Sequence, residues 1–81
     1  MRVTVRLFAR LRDLAGAGTL TREVPQGAGV DTLWQALVRE FPAMAPLRPS
    51  IAVAVNAEYA TFETAMADGD EIAFLPPVSG G

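Results

Sequence analysis

The sequence predicts an α+β domain in which a β-sheet packs one face against a single main helix. Val3, Val5 and Leu7 alternate with Thr4, Arg6 and Phe8, the period of a strand with one buried face. Leu33, Trp34, Leu37, Val38 and Phe41 form one broad helical stripe. Ile51 to Val55 and Ile72 to Leu75 are two further β runs, so strands flank the helix on both sides in the chain.

The remaining elements follow in order. After the first strand, Leu11, Leu14 and Ala15 repeat at helical spacing, which predicts two turns ending at Gly16. Leu20 and Val24, with Thr19, Thr21 and Glu23 between and beside them, predict a second strand. Pro25-Gln26-Gly27-Ala28-Gly29 is turn material, and Asp31 is the expected N-cap of the main helix, its carboxylate accepting an orphan backbone N–H. Pro42 stops that helix, and the stretch from Pro42 to Pro49 reads as a proline-punctuated loop. Asn56-Ala57-Glu58 makes a turn, and Met66-Ala67-Asp68-Gly69-Asp70 a second, with Gly69 suited to positive φ. The order is therefore strand, short helix, strand, helix, strand, strand.

Composition removes most chemistries. The chain has no Cys and no His, which excludes thiol nucleophiles, imidazole acid–base catalysis and soft-metal sites. A net charge of −2 and a pI near 4.9 argue against a nucleic-acid surface. The longest apolar stretch, Ile51 to Val55, is far too short to span a bilayer, and the N-terminus lacks the apolar core of a signal peptide. The expectation is a cytoplasmic domain. Its 81 residues suffice for one core but not for a second lobe or a deep enclosed cleft. All seven cations are arginine, so the N-terminus is the only primary amine on the chain and self-acylation would be correspondingly limited.

Two features carry function. The first is the end, Leu75-Pro76-Pro77-Val78-Ser79-Gly80-Gly81. Glycine lacks a Cβ, so Gly80 and Gly81 can thread a channel closed to larger residues, while Pro76 and Pro77 stiffen the base of the stem. Extended, the six residues after Leu75 reach roughly 20 Å from the body. A frayed terminus is the competing reading. The division expected is a domain over residues 1–75 and a flexible tail over 76–81. The second feature is strand parity. If Val3, Val5 and Leu7 face the helix, then Phe8 lies on the opposite face; likewise Ile72 and Phe74 point inward and Leu75 outward. Ala52, Ala54 and Ala73 would keep that outer face low and apolar. Phe8 and Leu75 beside a projecting tail read as a docking patch, unless the short helix around Leu11 covers Phe8.

Other motifs point to turns and solvated faces. Gly16-Ala17-Gly18 and Gly27-Ala28-Gly29 lack the further glycine or lysine of a phosphate cradle. Asp68, Asp70 and Glu71 lack the remaining oxygen ligands of a calcium loop, so a turn is favoured and no metal site is expected. Arg10, Arg12 and Asp13 fit either a solvated helix face or, for Arg12 near Phe8, an interface. Trp34 reads as core.

Three segments together resemble the small subunits of molybdopterin synthase. They are Leu7-Phe8-Ala9-Arg10-Leu11-Arg12-Asp13-Leu14-Ala15-Gly16, Val53-Ala54-Val55-Asn56, and Asp68-Gly69-Asp70-Glu71-Ile72-Ala73-Phe74-Leu75-Pro76-Pro77 leading into Val78-Ser79-Gly80-Gly81. The resemblance spans essentially the whole chain, although Thr19 to Pro49 matches only in pattern. It implies a ubiquitin-like β-grasp fold, with a mixed sheet on the main helix and the final strand inside the sheet.

The resemblance also implies a function. A ubiquitin-activating-like adenylyltransferase would consume ATP to adenylate Gly81, and sulfur would then replace one oxygen to give a thiocarboxylate. The larger synthase subunit would take the tail into its active site and pass the sulfur to cyclic pyranopterin monophosphate, building the dithiolene of molybdopterin. The chain would then be a sulfur carrier that binds no cofactor and contributes no acid, base or metal ligand; catalytic groups would lie on the large subunit, and the family expectation is a heterotetramer. Gly81 would carry the sulfur, Ser79 and Gly80 give a slim approach, Val78 follows Pro76 and Pro77, which aim the stem, and Phe8, Arg12, Tyr59 and Leu75 would contact the larger subunit. Two alternatives stand beside this. One is the sulfur carrier of the thiamine thiazole, whose members resemble shorter chains without the Phe-Leu-Pro-Pro lead-in. The other is a ubiquitin-like modifier conjugated to lysines of target proteins.

Overall fold

A computed structural model describes residues 1–77. Five strands and two α-helices follow in the order β1 (Arg2–Leu7), α1 (Ala9–Ala15), β2 (Thr19–Glu23), α2 (Val30–Glu40), β3 (Ala52–Val55), β4 (Glu58–Ala60) and β5 (Glu71–Leu75). They form one mixed sheet of order β2-β1-β5-β3-β4. β1 runs parallel to β5, while the β1–β2, β3–β5 and β3–β4 pairs are antiparallel. The last strand in the chain is thus the middle of the sheet. This is the ubiquitin-like β-grasp architecture.

Alternation decides which residues are buried. Val3, Val5 and Leu7 of β1, Val53 of β3, and Ile72 and Phe74 of β5 all turn inward. They meet Val30, Leu33, Trp34 and Leu37 of α2, and Leu11 of α1. Trp34 sits at the centre, with its ring 5.1 Å from that of Phe74 and 5.8 Å from that of Phe62. Tilted and edge contacts of this kind add to the large area each ring buries.

Four local expectations are corrected. Pro42 to Pro49 is not an irregular loop but part of a 3₁₀ segment, Pro42–Ser50, which folds Met44 into the core. Repeated prolines suit short i→i+3 turns, because a long α-helical ladder would need the N–H groups they lack. Asp31 is not the N-cap of α2. Gly29 takes that place, and the first N–H groups of the helix donate instead to carbonyl oxygens of a distant loop: Val30 N–H to Thr64 at 2.9 Å and Asp31 N–H to Phe62 at 2.8 Å. With its orphan donors already satisfied, the helix leaves the Asp31 carboxylate free to pair with Arg48, whose guanidinium lies 4.1 Å over the Phe62 ring. Glu58 belongs to a strand, not to the turn, and β4 is a fifth strand where four were expected. Asn56 and Ala57 alone connect Val55 to Glu58, at φ of 51° and 70°. Positive φ at both central residues is the signature of the type I′ hairpin turn, whose twist matches that of the strands it joins.

The other strand and helix boundaries fall within about one residue of expectation. Gly16 closes α1 in the left-handed region at φ 74°, its N–H donating to the Arg12 carbonyl, and Gly69 turns at φ 85° ahead of β5. Among the described residues no helix is long and apolar enough to cross a membrane.

Candidate functional site

The face of the sheet turned away from α2 divides in two. On the β1–β2 side it is polar, with Arg2 bonded to Glu23 at 3.0 Å and Arg6 lying 3.8 Å from Glu71. On the β5–β3–β4 side it is low and apolar, because the pairs Ala54–Ala73, Ala52–Leu75 and Ala54–Tyr59 stand opposite one another in register. The small side chains of Ala54, Ala57 and Ala73 leave a hollow. A shallow concavity of about 310 Å³ is lined by Phe8, Ala54, Ala57, Tyr59, Glu71, Ala73 and Leu75.

Phe8 and Tyr59 rim this hollow as exposed large hydrophobic residues, Tyr59 at 87% and Phe8 at 38%. Phe8 holds its place as the residue preceding α1, in extended conformation, where its carbonyl accepts the Leu11 N–H. The short helix leaves its ring exposed, and the Arg6 guanidinium lies 5.7 Å from the ring centroid. Three of the four expected contact residues, Phe8, Tyr59 and Leu75, therefore come together. Arg12 does not line the hollow. It lies on α1 with its side chain beside Gly18, just before β2.

The sheet also fixes where the tail begins. β5 is hydrogen-bonded on both sides, to β1 and to β3, up to the Leu7–Phe74 and Ala52–Leu75 pairs. Leu75 lines the hollow, Pro76 beside it is half-buried, and Pro77 is exposed. The expected roles of Val78, Ser79, Gly80 and Gly81 lie outside the described residues.

The opposite end of β5 is held by a polar cluster that explains two of the motifs in the sequence. The Asn56 amide donates to Asp70 Oδ1 at 2.9 Å, and its oxygen accepts the Glu71 N–H at 2.9 Å. Asp70 Oδ2 accepts the Ala67 N–H at 2.8 Å, and Asp68 Oδ1 accepts the Arg2 N–H at 2.7 Å. The Ala67 N–H, with help from the Asn56 amide, holds the Asp70 carboxyl below its ordinary value of 3.8. These carboxylates are engaged in closing turns. Among the described residues, no group of three acidic or other metal-binding side chains is placed to hold an ion.

The ThiS family model matches residues 5–81. The chain belongs to the ThiS family. It is 38% identical over 79 residues to the molybdopterin synthase sulfur carrier subunit of Arabidopsis thaliana, covering 98% of this chain and 82% of that protein. It is also similar to the solved structure of small archaeal modifier protein 1 of Haloferax volcanii, with TM-score 0.88 and 36% identity over 100% of both chains. A chain in the protein–protein complex of subunits 1 and 2 of the molybdopterin-converting factor from Helicobacter pylori matches with TM-score 0.70 and 27% identity, again over 100% of both. The resemblance to molybdopterin synthase small subunits, drawn first from three short segments, thus holds over nearly the full length of this ThiS-family chain.

Sequence reasoning missed Ala57 and Glu71 as lining residues. Glu71 was visible as the outward neighbour of Ile72 by strand parity, whereas Ala57 required knowing that the hairpin turns back to carry β4.

Proposed function

We propose that this chain is the sulfur-carrier subunit of a molybdopterin synthase. Gly81 is adenylated when its carboxylate attacks the α-phosphate of ATP and pyrophosphate leaves. A sulfur nucleophile then displaces AMP, leaving a thiocarboxylate. A free carboxylate is anionic at neutral pH and a poor electrophile, so the adenylate is what makes the acyl carbon reactive. The large synthase subunit receives the tail and supplies the catalytic groups that pass sulfur to cyclic pyranopterin monophosphate. One observation carries this reading: the strand that leads into the Pro-Pro-Val-Ser-Gly-Gly end is the central strand of the sheet, and its last residue, Leu75, borders an open apolar hollow. A rigid base and an adjacent docking surface are what a carrier needs in order to present a narrow tail reproducibly. The likeness to a subunit found in complex with its partner supports a large-subunit partner for this chain.

Reconstitution tests the proposal. A chain bearing a Gly81 thiocarboxylate, mixed with a molybdopterin synthase large subunit and cyclic pyranopterin monophosphate, yields molybdopterin with loss of the thiocarboxylate. Persistence of the thiocarboxylate with a large subunit that is active toward its own carrier would contradict it.

The likeness to small archaeal modifier protein 1 favours a second reading, in which the same activated Gly81 forms an isopeptide bond with lysines of target proteins. Conjugates that disappear when Gly81 is removed would support it.

A further inference from the structure

An activated glycyl end is an acyl donor, and any primary amine within reach is a candidate acceptor. This chain carries its seven cations as Arg2, Arg6, Arg10, Arg12, Arg22, Arg39 and Arg48, with no lysine. A guanidinium stays protonated and offers no lone pair for attack. The α-amino group of Met1 is then the one primary amine in these 81 residues.

That amine is occupied. The Met1 ammonium donates to the Val24 carbonyl at 2.7 Å, and the Val24 N–H donates back to the Met1 carbonyl at 2.9 Å. The Glu23 carboxylate stands 3.9 Å from the ammonium, and the Met1 side chain is 1% exposed. The first residue is therefore stitched into the β1–β2 ladder and packed against the core. Its position lets the chain's own tail reach it only if the six residues after Leu75 run back fully extended, a reach of roughly 20 Å. β1 and β5 are parallel, so Met1 lies at the opposite end of the sheet from Leu75, about 20 Å away along six strand residues.

We infer that the folded chain is a one-way acyl donor, closed to acylation by its own activated end and by that of another copy. This rests on the reading that Gly81 is activated. Acylation would require the Met1 nitrogen to give up the Val24 bond and lose a proton. It would then form a C–N bond to the Gly81 carbonyl carbon as the C–O bond to AMP breaks. The arrangement opposes that step, so the adenylate is left mainly for sulfur or for an amine on a different protein. If the chain also serves as a modifier, it attaches singly and builds no polymer through itself.

The test has two arms. In the first, the 81-residue chain is treated with N-hydroxysuccinimidyl acetate, folded and in denaturant, and acetylation is followed by intact mass. Acetylation at Met1 is expected to be at least about tenfold slower in the folded chain, the scale set by one hydrogen bond that must first open. Equal rates overturn the inference. Arg39→Lys, on the exposed side of α2, serves as the control and should be acetylated rapidly while folded. In the second arm, the adenylating enzyme and ATP are supplied without a sulfur source, and pyrophosphate release is measured alongside. Wild-type chain is expected to remain monomeric while Arg39→Lys forms covalent dimers. Wild-type dimers linked Gly81 to Met1 overturn the inference. If no pyrophosphate appears, the carrier reading has failed, and the first arm alone decides whether the surface is closed.

Discussion

Adjacent residues of β5 do opposite work. Ile72 and Phe74 point into the core and are fully buried, whereas Ala73 and Leu75 face outward and line the open hollow. The inner pair packs on Trp34 and the other core residues. The outer pair stands opposite Ala52 and Ala54 of β3, with Ala73 also opposite Arg6 of β1. One strand thus stabilises the fold with one face and leaves the other open, where the proposed partner would dock. Stability and docking should then be separable by mutating neighbours, which a deep enclosed site would not allow.

Four predictions probe that separation, beginning with the largest effect. Deleting Gly80 and Gly81, or adding one residue after Gly81, should abolish sulfur transfer in the reconstituted synthase while leaving the Tm unchanged, because the sheet ends at Leu75. Residual transfer by a blocked chain would mean that the tail is not the carrier. On the inner face, Phe74→Ala should cost about 3–5 kcal/mol in denaturant unfolding, through lost burial and the cavity left beside Trp34. On the outer face, Leu75→Ala or Phe8→Ala should weaken binding to the large subunit by about 1–3 kcal/mol, read by calorimetry. The same variants should shift stability by less than about 0.5–1 kcal/mol. Unchanged affinity in both would place the interface elsewhere.

The smallest effect concerns acid. The Asp70 carboxyl is held below 3.8, so its contribution to stability is present above that value and is lost as pH falls through the lowered one. Between about pH 5 and about pH 2, the Tm of the wild type should therefore fall more steeply than that of Asp70→Asn. Parallel curves would show that the Asn56–Asp70 cluster does not couple to folding.

How much of this was legible in the sequence depends on the range of the interactions. Parity alone placed Val3, Val5, Leu7, Ile72 and Phe74 inside and Phe8 and Leu75 outside, because a strand's side chains alternate whatever lies around it. The stripe on α2 and the glycine turns at Gly16 and Gly69 were equally local. The N-terminus of α2 was not, since its donors are satisfied by Thr64 and Phe62, more than thirty residues onward, and no capping rule sees that far. β4 escaped because three residues with Tyr59 and Glu58 exposed carry too little apolar pattern to announce a strand. Of the expected docking residues, Phe8, Leu75 and Tyr59 converge, while Arg12 follows the turn of α1 toward Gly18. The left-handed conformation of Ala57 is likewise a tertiary matter; only the pairing of Val55 with Glu58 demands it.

The central claim is that Gly81 is a carrier of sulfur, and intact mass tests it most directly. The chain is incubated with ATP, a sulfur source and its adenylating enzyme, then weighed and fragmented. The account predicts a gain equal to the exchange of one oxygen for one sulfur, localised to Gly81. An unchanged mass, with the enzyme shown to be active on its own substrate, would contradict it.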